Sequence, residues 1–67
     1  MSVAKTVELV STSSKSFDDA IQTGIARASS TLEQVKGAWI QDQELSVEDG
    51  KITEYRVRMK VTFVLKD

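Results

Sequence analysis

The strongest constraint on this chain is the alternation in residues 52–65, "ITEYRVRMKVTFVL". Tyr55, Val57, Met59, Val61, Phe63 and Leu65 share one parity. Glu54, Arg56, Arg58, Lys60 and Thr62 share the other. A period of two is that of a β-strand with one face covered and the other left polar. Such a strand cannot stand alone. It needs neighbours to take its backbone hydrogen bonds and an apolar element to cover its odd-numbered face.

The neighbours are legible on both sides. Residues 38–47 read as a second strand, joined to 52–65 by Asp49-Gly50. Asp-Gly favours a two-residue hairpin because both central residues take positive φ. Residues 3–11, "VAKTVELVS", read as a further strand with Val3, Val7 and Leu9 on one parity. "STSSKS" (11–16) reads as a polar loop of turn and cap residues.

The cover is a helix. Phe17, Ala20, Ile21, Ile25, Ala28, Leu32 and Val35 recur at three- and four-residue spacing and make one apolar stripe. Ser16 followed by Asp19 reads as a capping box with Asp in place of Glu. Asp18 and Asp19 suit the positive end of the helix dipole. Gly37, just past the stripe, is read as the left-handed residue that closes the helix. Gly24 inside the stripe costs about 1 kcal/mol against Ala, which close packing against a neighbour would explain. The order is β-α-β-β, an α+β unit with a three-stranded antiparallel sheet partly wrapped around one helix.

Counting outward from the Asp49-Gly50 turn pairs Val47 with Ile52, Gln43 with Arg56, Gln41 with Arg58 and Trp39 with Lys60. Paired residues share a face. Trp39, the only tryptophan, is thereby expected opposite the helix, beside Gln41, Gln43, Arg56, Arg58 and Lys60. Ala38 and Ile40 take the helix side. The same count leaves Asp42 and Glu44 on the helix side, at a hairpin tip projecting beyond the helix. An exposed indole among amides and cations has two compatible readings. It belongs to a subunit interface, where Trp and Arg are enriched, or it is a stacking platform for a flat ligand.

Composition narrows the classes. A domain of 67 residues buries only about 60% of its unfolded surface and is marginal alone. There is no Cys and no His. Disulfides and zinc sites built from those residues are excluded, and oligomerisation is the remaining compensation. The common general base and thiol nucleophile are missing too, so no enzyme is expected. Nine basic against ten acidic residues, net charge −1, argue against a nucleic-acid footprint. No apolar run is long enough for a membrane span, and the N-terminus lacks a signal-peptide pattern. The default expectation is a cytoplasmic protein. The "STSSKS" loop with Lys15, ahead of a helix N-terminus, is a weak phosphate candidate without glycine. Asp42, Glu44, Glu48 and Asp49 offer oxygen ligands for calcium or magnesium, at a spacing that matches no EF-hand.

Taken in order, "VELVSTS", "AIQTGIARASSTL", an early tryptophan in strand two and "EYRVRMKVTFVL" resemble dodecins, small flavin-binding proteins. The resemblance covers nearly the whole chain, so 1–67 is expected to be one dodecin-like domain. It implies a hollow homododecamer of cubic symmetry. It also implies flavin storage or sequestration, with isoalloxazine rings stacked and quenched between tryptophans of symmetry-related chains. Trp39 matches that tryptophan. Glu44 matches an acidic residue near the ribityl chain or a cation. Gln41, Arg56 and Arg58 complete the expected cofactor site. FMN is preferred over riboflavin or FAD because Arg56 and Arg58 could offset a phosphate. The chain departs from the family at Ser11, where glycine is usual, and at Arg56, where flavin binders carry glutamine. Arginine only donates, whereas glutamine donates and accepts. The alternative expectation is a shell of the same architecture that binds no flavin and serves as a scaffold or calcium-binding protein, with Glu44 as a metal ligand.

Overall fold

The computed structural model describes residues 3–32 and 34–65. Its elements are β1 (Val3–Ser13), α1 (Phe17–Thr31), β2 (Val35–Glu48) and β3 (Lys51–Leu65). The sheet is antiparallel in the order β1-β3-β2. β3, the strand of strict alternation, is therefore the central one, paired on both edges. Val57, Met59 and Val61 at its middle are fully buried.

The α1 face against the sheet is built from small residues. Ala20, Gly24 and Ala28 are its buried positions, and Phe17, Ile21, Ile25 and Leu32 pack around them. This lets the helix dock closely. A Cβ on Gly24 would lie 3.0 Å from Met59 Cε and 3.1 Å from Ser11 Cβ. The close approach expected of Gly24 is thus made to β1 and β3 together. Phe17 meets Tyr55 edge-on, with centroids 5.2 Å apart, and extends the core to the helix N-terminus.

Two ends differ from expectation. β1 runs on to Ser13, whose hydroxyl donates to Asp19 Oδ2 at 2.6 Å and accepts from the Lys15 N–H at 2.9 Å. Ser16 caps the helix by accepting from the Asp19 N–H at 3.0 Å. Only half of the capping box forms, because the shorter Asp19 carboxylate is held by Ser13. At the other end the helix stops at Thr31, one turn before the apolar stripe runs out, and position 33 lies outside the described residues. Leu32 is already extended, and Gln34, at φ 53°, takes the left-handed conformation expected of Gly37. Val35 opens β2 instead, opposite Phe63. Its apolar side chain serves the same core from a strand, so the helical spacing was fortuitous there.

The turn is as expected. Asp49 and Gly50 have φ of 52° and 75°. The hairpin it closes outreaches its cover. Fifteen helical residues span about 22 Å, whereas the molecule is 52 Å long, the length of β3 at about 3.4 Å per residue. Leu45, Val47 and Ile52 near the turn stay exposed for that reason. Among the described residues no helix is long and apolar enough to cross a membrane.

Candidate functional site

The sheet face away from α1 carries the site. Trp39 lies there, opposite Lys60, as its pairing predicted. It is 66% exposed, the most exposed large apolar side chain described. Lys60 Nζ stands 5.7 Å from the centre of the indole, in cation–π range on one side of the ring.

The neighbours of Trp39 are not those expected. Three register shifts interrupt the β2–β3 ladder, between Val35 and Gly37, between Ile40 and Asp42 and between Ser46 and Val47. The last two bracket the site: the first of them from the turn is at Ser46 and Val47, the second at Ile40 and Asp42. At the first, Thr53 has no partner, and its hydroxyl donates to the Ser46 carbonyl at 3.2 Å. At the second, Gln41 is the extra residue. Between them the register is displaced by one, and a one-residue shift exchanges faces. Asp42 now pairs with Arg58 and Glu44 with Arg56, whereas Gln43 faces Val57 on the helix side. The expected pairs Gln41–Arg58 and Gln43–Arg56 are therefore corrected. Asp42 and Glu44 leave the helix side, where the unbroken count had put them at the projecting hairpin tip. Beyond Gln41 the second bulge cancels the first, which is why Trp39 still meets Lys60.

The displaced segment forms a charge ladder. Arg56 Nη1 donates to Glu44 Oε1 at 2.9 Å, and its Nη2 to Glu54 Oε1 at 3.3 Å. Arg58 Nη1 donates to Asp42 Oδ1 at 2.8 Å, and its Nη2 to the same Glu44 oxygen at 3.3 Å. The Arg58 guanidinium is held above its ordinary range, first by the hydrogen bond to Asp42, then by the charges of Asp42 and Glu44. Both guanidiniums expected to offset a flavin phosphate are thus taken up by carboxylates of their own sheet. Glu44, the expected metal ligand, gives one oxygen to two guanidiniums. Among the described residues no group of three or more acidic, His or Cys side chains is placed to hold a metal ion.

Sequence reasoning missed the ladder and the share of β1. The signal for the first was present: Asp42 and Glu44 have the same two-residue spacing as Arg56 and Arg58, and charge complementarity favours the shifted register. From β1, Glu8, Val10 and Thr12 stand opposite Lys60, Arg58 and Arg56 and complete the face.

A flat, largely apolar heterocycle with a polar rim fits what is present. The indole supplies a stacking surface, and the bulged Gln41 offers an amide two residues away along the strand. One chain provides one wall only. A second chain is needed to close a sandwich.

The dodecin family model matches residues 3–66. A dodecin of Thermus thermophilus is 36% identical over 67 residues, covering 97% of this chain and 94% of the relative. A calcium dodecin of Mycobacterium tuberculosis is 31% identical, covering 98% and 93%. Among solved structures, dodecin from Streptomyces davaonensis superposes with a TM-score of 0.93 at 33% identity, over 98% of this chain and 97% of the other. With the family model spanning both the helix-covered core and the Trp39 face, the chain is a member of the dodecin family.

Proposed function

We propose that this protein is a cytoplasmic flavin-storage protein, a single domain assembled as a hollow homododecamer. In it, Trp39 stacks against an isoalloxazine ring at a subunit interface. The observation that carries the reading is the exposure of Trp39 on the sheet face opposite the helix. A chain with so small a core does not leave its largest apolar side chain in water without a partner. On this reading Gln41, Arg58 and, a row further along the strand, Glu44 and Arg56 are the polar groups offered to the bound flavin. A bound flavin would supply the chromophore, and contact with the indole would quench its excited state. No role in catalysis is assigned to any residue.

The test is spectroscopic. Adding riboflavin or FMN to the purified assembly is expected to quench both Trp39 and flavin fluorescence at micromolar concentrations. Trp39→Ala is expected to abolish the effect. Absence of quenching with any flavin would refute the reading. Light scattering that returns a monomer would refute the shell.

A second reading, a shell that binds calcium in place of flavin, is supported by the relative named calcium dodecin. Here it requires calcium to displace Arg56 and Arg58 from Glu44. Calorimetry with calcium separates the two readings: measurable heat lost in Glu44→Gln would favour the cation site.

A further inference from the structure

The ion-pair ladder beside Trp39 bears on which flavin the site takes. Its members are two guanidiniums and three carboxylates, Arg56 and Arg58 against Asp42, Glu44 and Glu54. One negative charge is left over. The ladder lies on the same face as Trp39, and its nearest row, Asp42 with Arg58, is next to the Trp39–Lys60 row. Same-face rows are about 7 Å apart along a strand. Lys60 stands over the indole, and its partner across the other edge of β3 is Glu8. Counting that row with the ladder leaves the balance negative.

We propose that the Trp39 site selects flavin as an uncharged ring system, riboflavin ahead of FMN, because the paired side chains beside the ring carry net negative charge. The inference rests on the reading of Trp39 as a flavin-stacking residue. It reverses the preference that unpaired arginines would have produced. The flavin phosphate carries a charge of about −1.5 to −2 at neutral pH. To use either arginine it must displace a carboxylate, which then becomes an unpaired anion beside it. A phosphate that displaces none meets only the surplus charge. Repulsion between one net charge and a dianion across solvent is worth about a three- to fivefold difference in affinity at low salt. It is largely screened at physiological ionic strength, where the Debye length is about 8 Å.

Riboflavin and FMN titrations of the assembled protein, followed by Trp39 quenching at about 10 mM and about 150 mM salt, test this. Riboflavin is expected to bind about three- to fivefold tighter than FMN at the lower salt, with the gap closing to under about twofold at the higher. Glu54→Gln removes one carboxylate charge while keeping the oxygen that accepts from Ser46 and Arg56. It is expected to reduce the preference. Asp18→Asn makes the same change in net charge on the helix N-terminal turn, on the other side of the sheet, and is expected to leave the preference intact. Quenching by both flavins with FMN bound tighter would overturn the inference and leave flavin binding standing. So would a ratio that Glu54→Gln does not move. Quenching by neither would overturn both.

Discussion

The two faces of one sheet are held by different physics. On the helix side Val57, Met59 and Val61 are sealed by Ala20, Gly24 and Ala28 at near-contact distances. Stability there comes from apolar area removed from water. On the other side Arg56, Arg58, Asp42, Glu44 and Glu54 are joined by charged hydrogen bonds while remaining in reach of solvent. Exposed pairs of this kind contribute little to stability. They order side chains around Trp39. The helix face makes the fold, and the open face presents the candidate site.

Substitutions on each face should therefore separate folding from binding. Met59→Ala leaves a cavity at the centre of the core and is expected to cost about 2–5 kcal/mol, read as a large drop in the denaturation midpoint. Trp39→Ala should do the reverse. On the proposed flavin reading, affinity is expected to fall by about two orders of magnitude, or roughly 2.7 kcal/mol, while the isolated chain's core is untouched. Loss of the folded shell in Trp39→Ala would break the comparison and make Trp39 a structural anchor. Gly24→Ala gains helix propensity of about 1 kcal/mol but forces Ser11 and Met59 apart. Overpacking at about 1–3 kcal/mol is expected to win, because Ser11 Cβ is fixed to a paired strand. A stabilised variant would show that the helix can lift at no cost. The smallest effect is expected on the open face. Arg56→Gln breaks two half-exposed ion pairs and should change stability by less than about 1 kcal/mol, measured by chemical denaturation. A loss as large as that of Met59→Ala would mean that subunit contacts bury the ladder.

The difference between the faces also marks how far the sequence could be read. On β3 every residue went to its expected face, and Trp39 to its expected partner. The helix was placed correctly over its first four turns by the Phe17–Ala28 stripe and Ser16. Its end was misplaced because Val35 satisfies helical spacing and strand pairing equally, and only the pairing with Phe63 decides between them. The site was half legible. Trp39 was found on the right face because two bulges of opposite sense cancel before it. Gln41 and Gln43 were put beside the arginines in place of Asp42 and Glu44, because counting from the turn assumes an unbroken ladder.

What the sequence determined by itself is local and periodic. A strand's side chains alternate whatever it pairs with, so the two faces of β3 were settled by residues 52–65 alone. A turn such as Asp49-Gly50 carries its own conformational demand. Tertiary structure decided the rest, because register belongs to a pair of strands and to neither one. Moving β2 by one residue between Ser46 and Ile40 brought Asp42 and Glu44 from the helix side onto Arg58 and Arg56. The shifted register sets both carboxylates opposite guanidiniums on the open face, and that pairing fixes the charge beside Trp39.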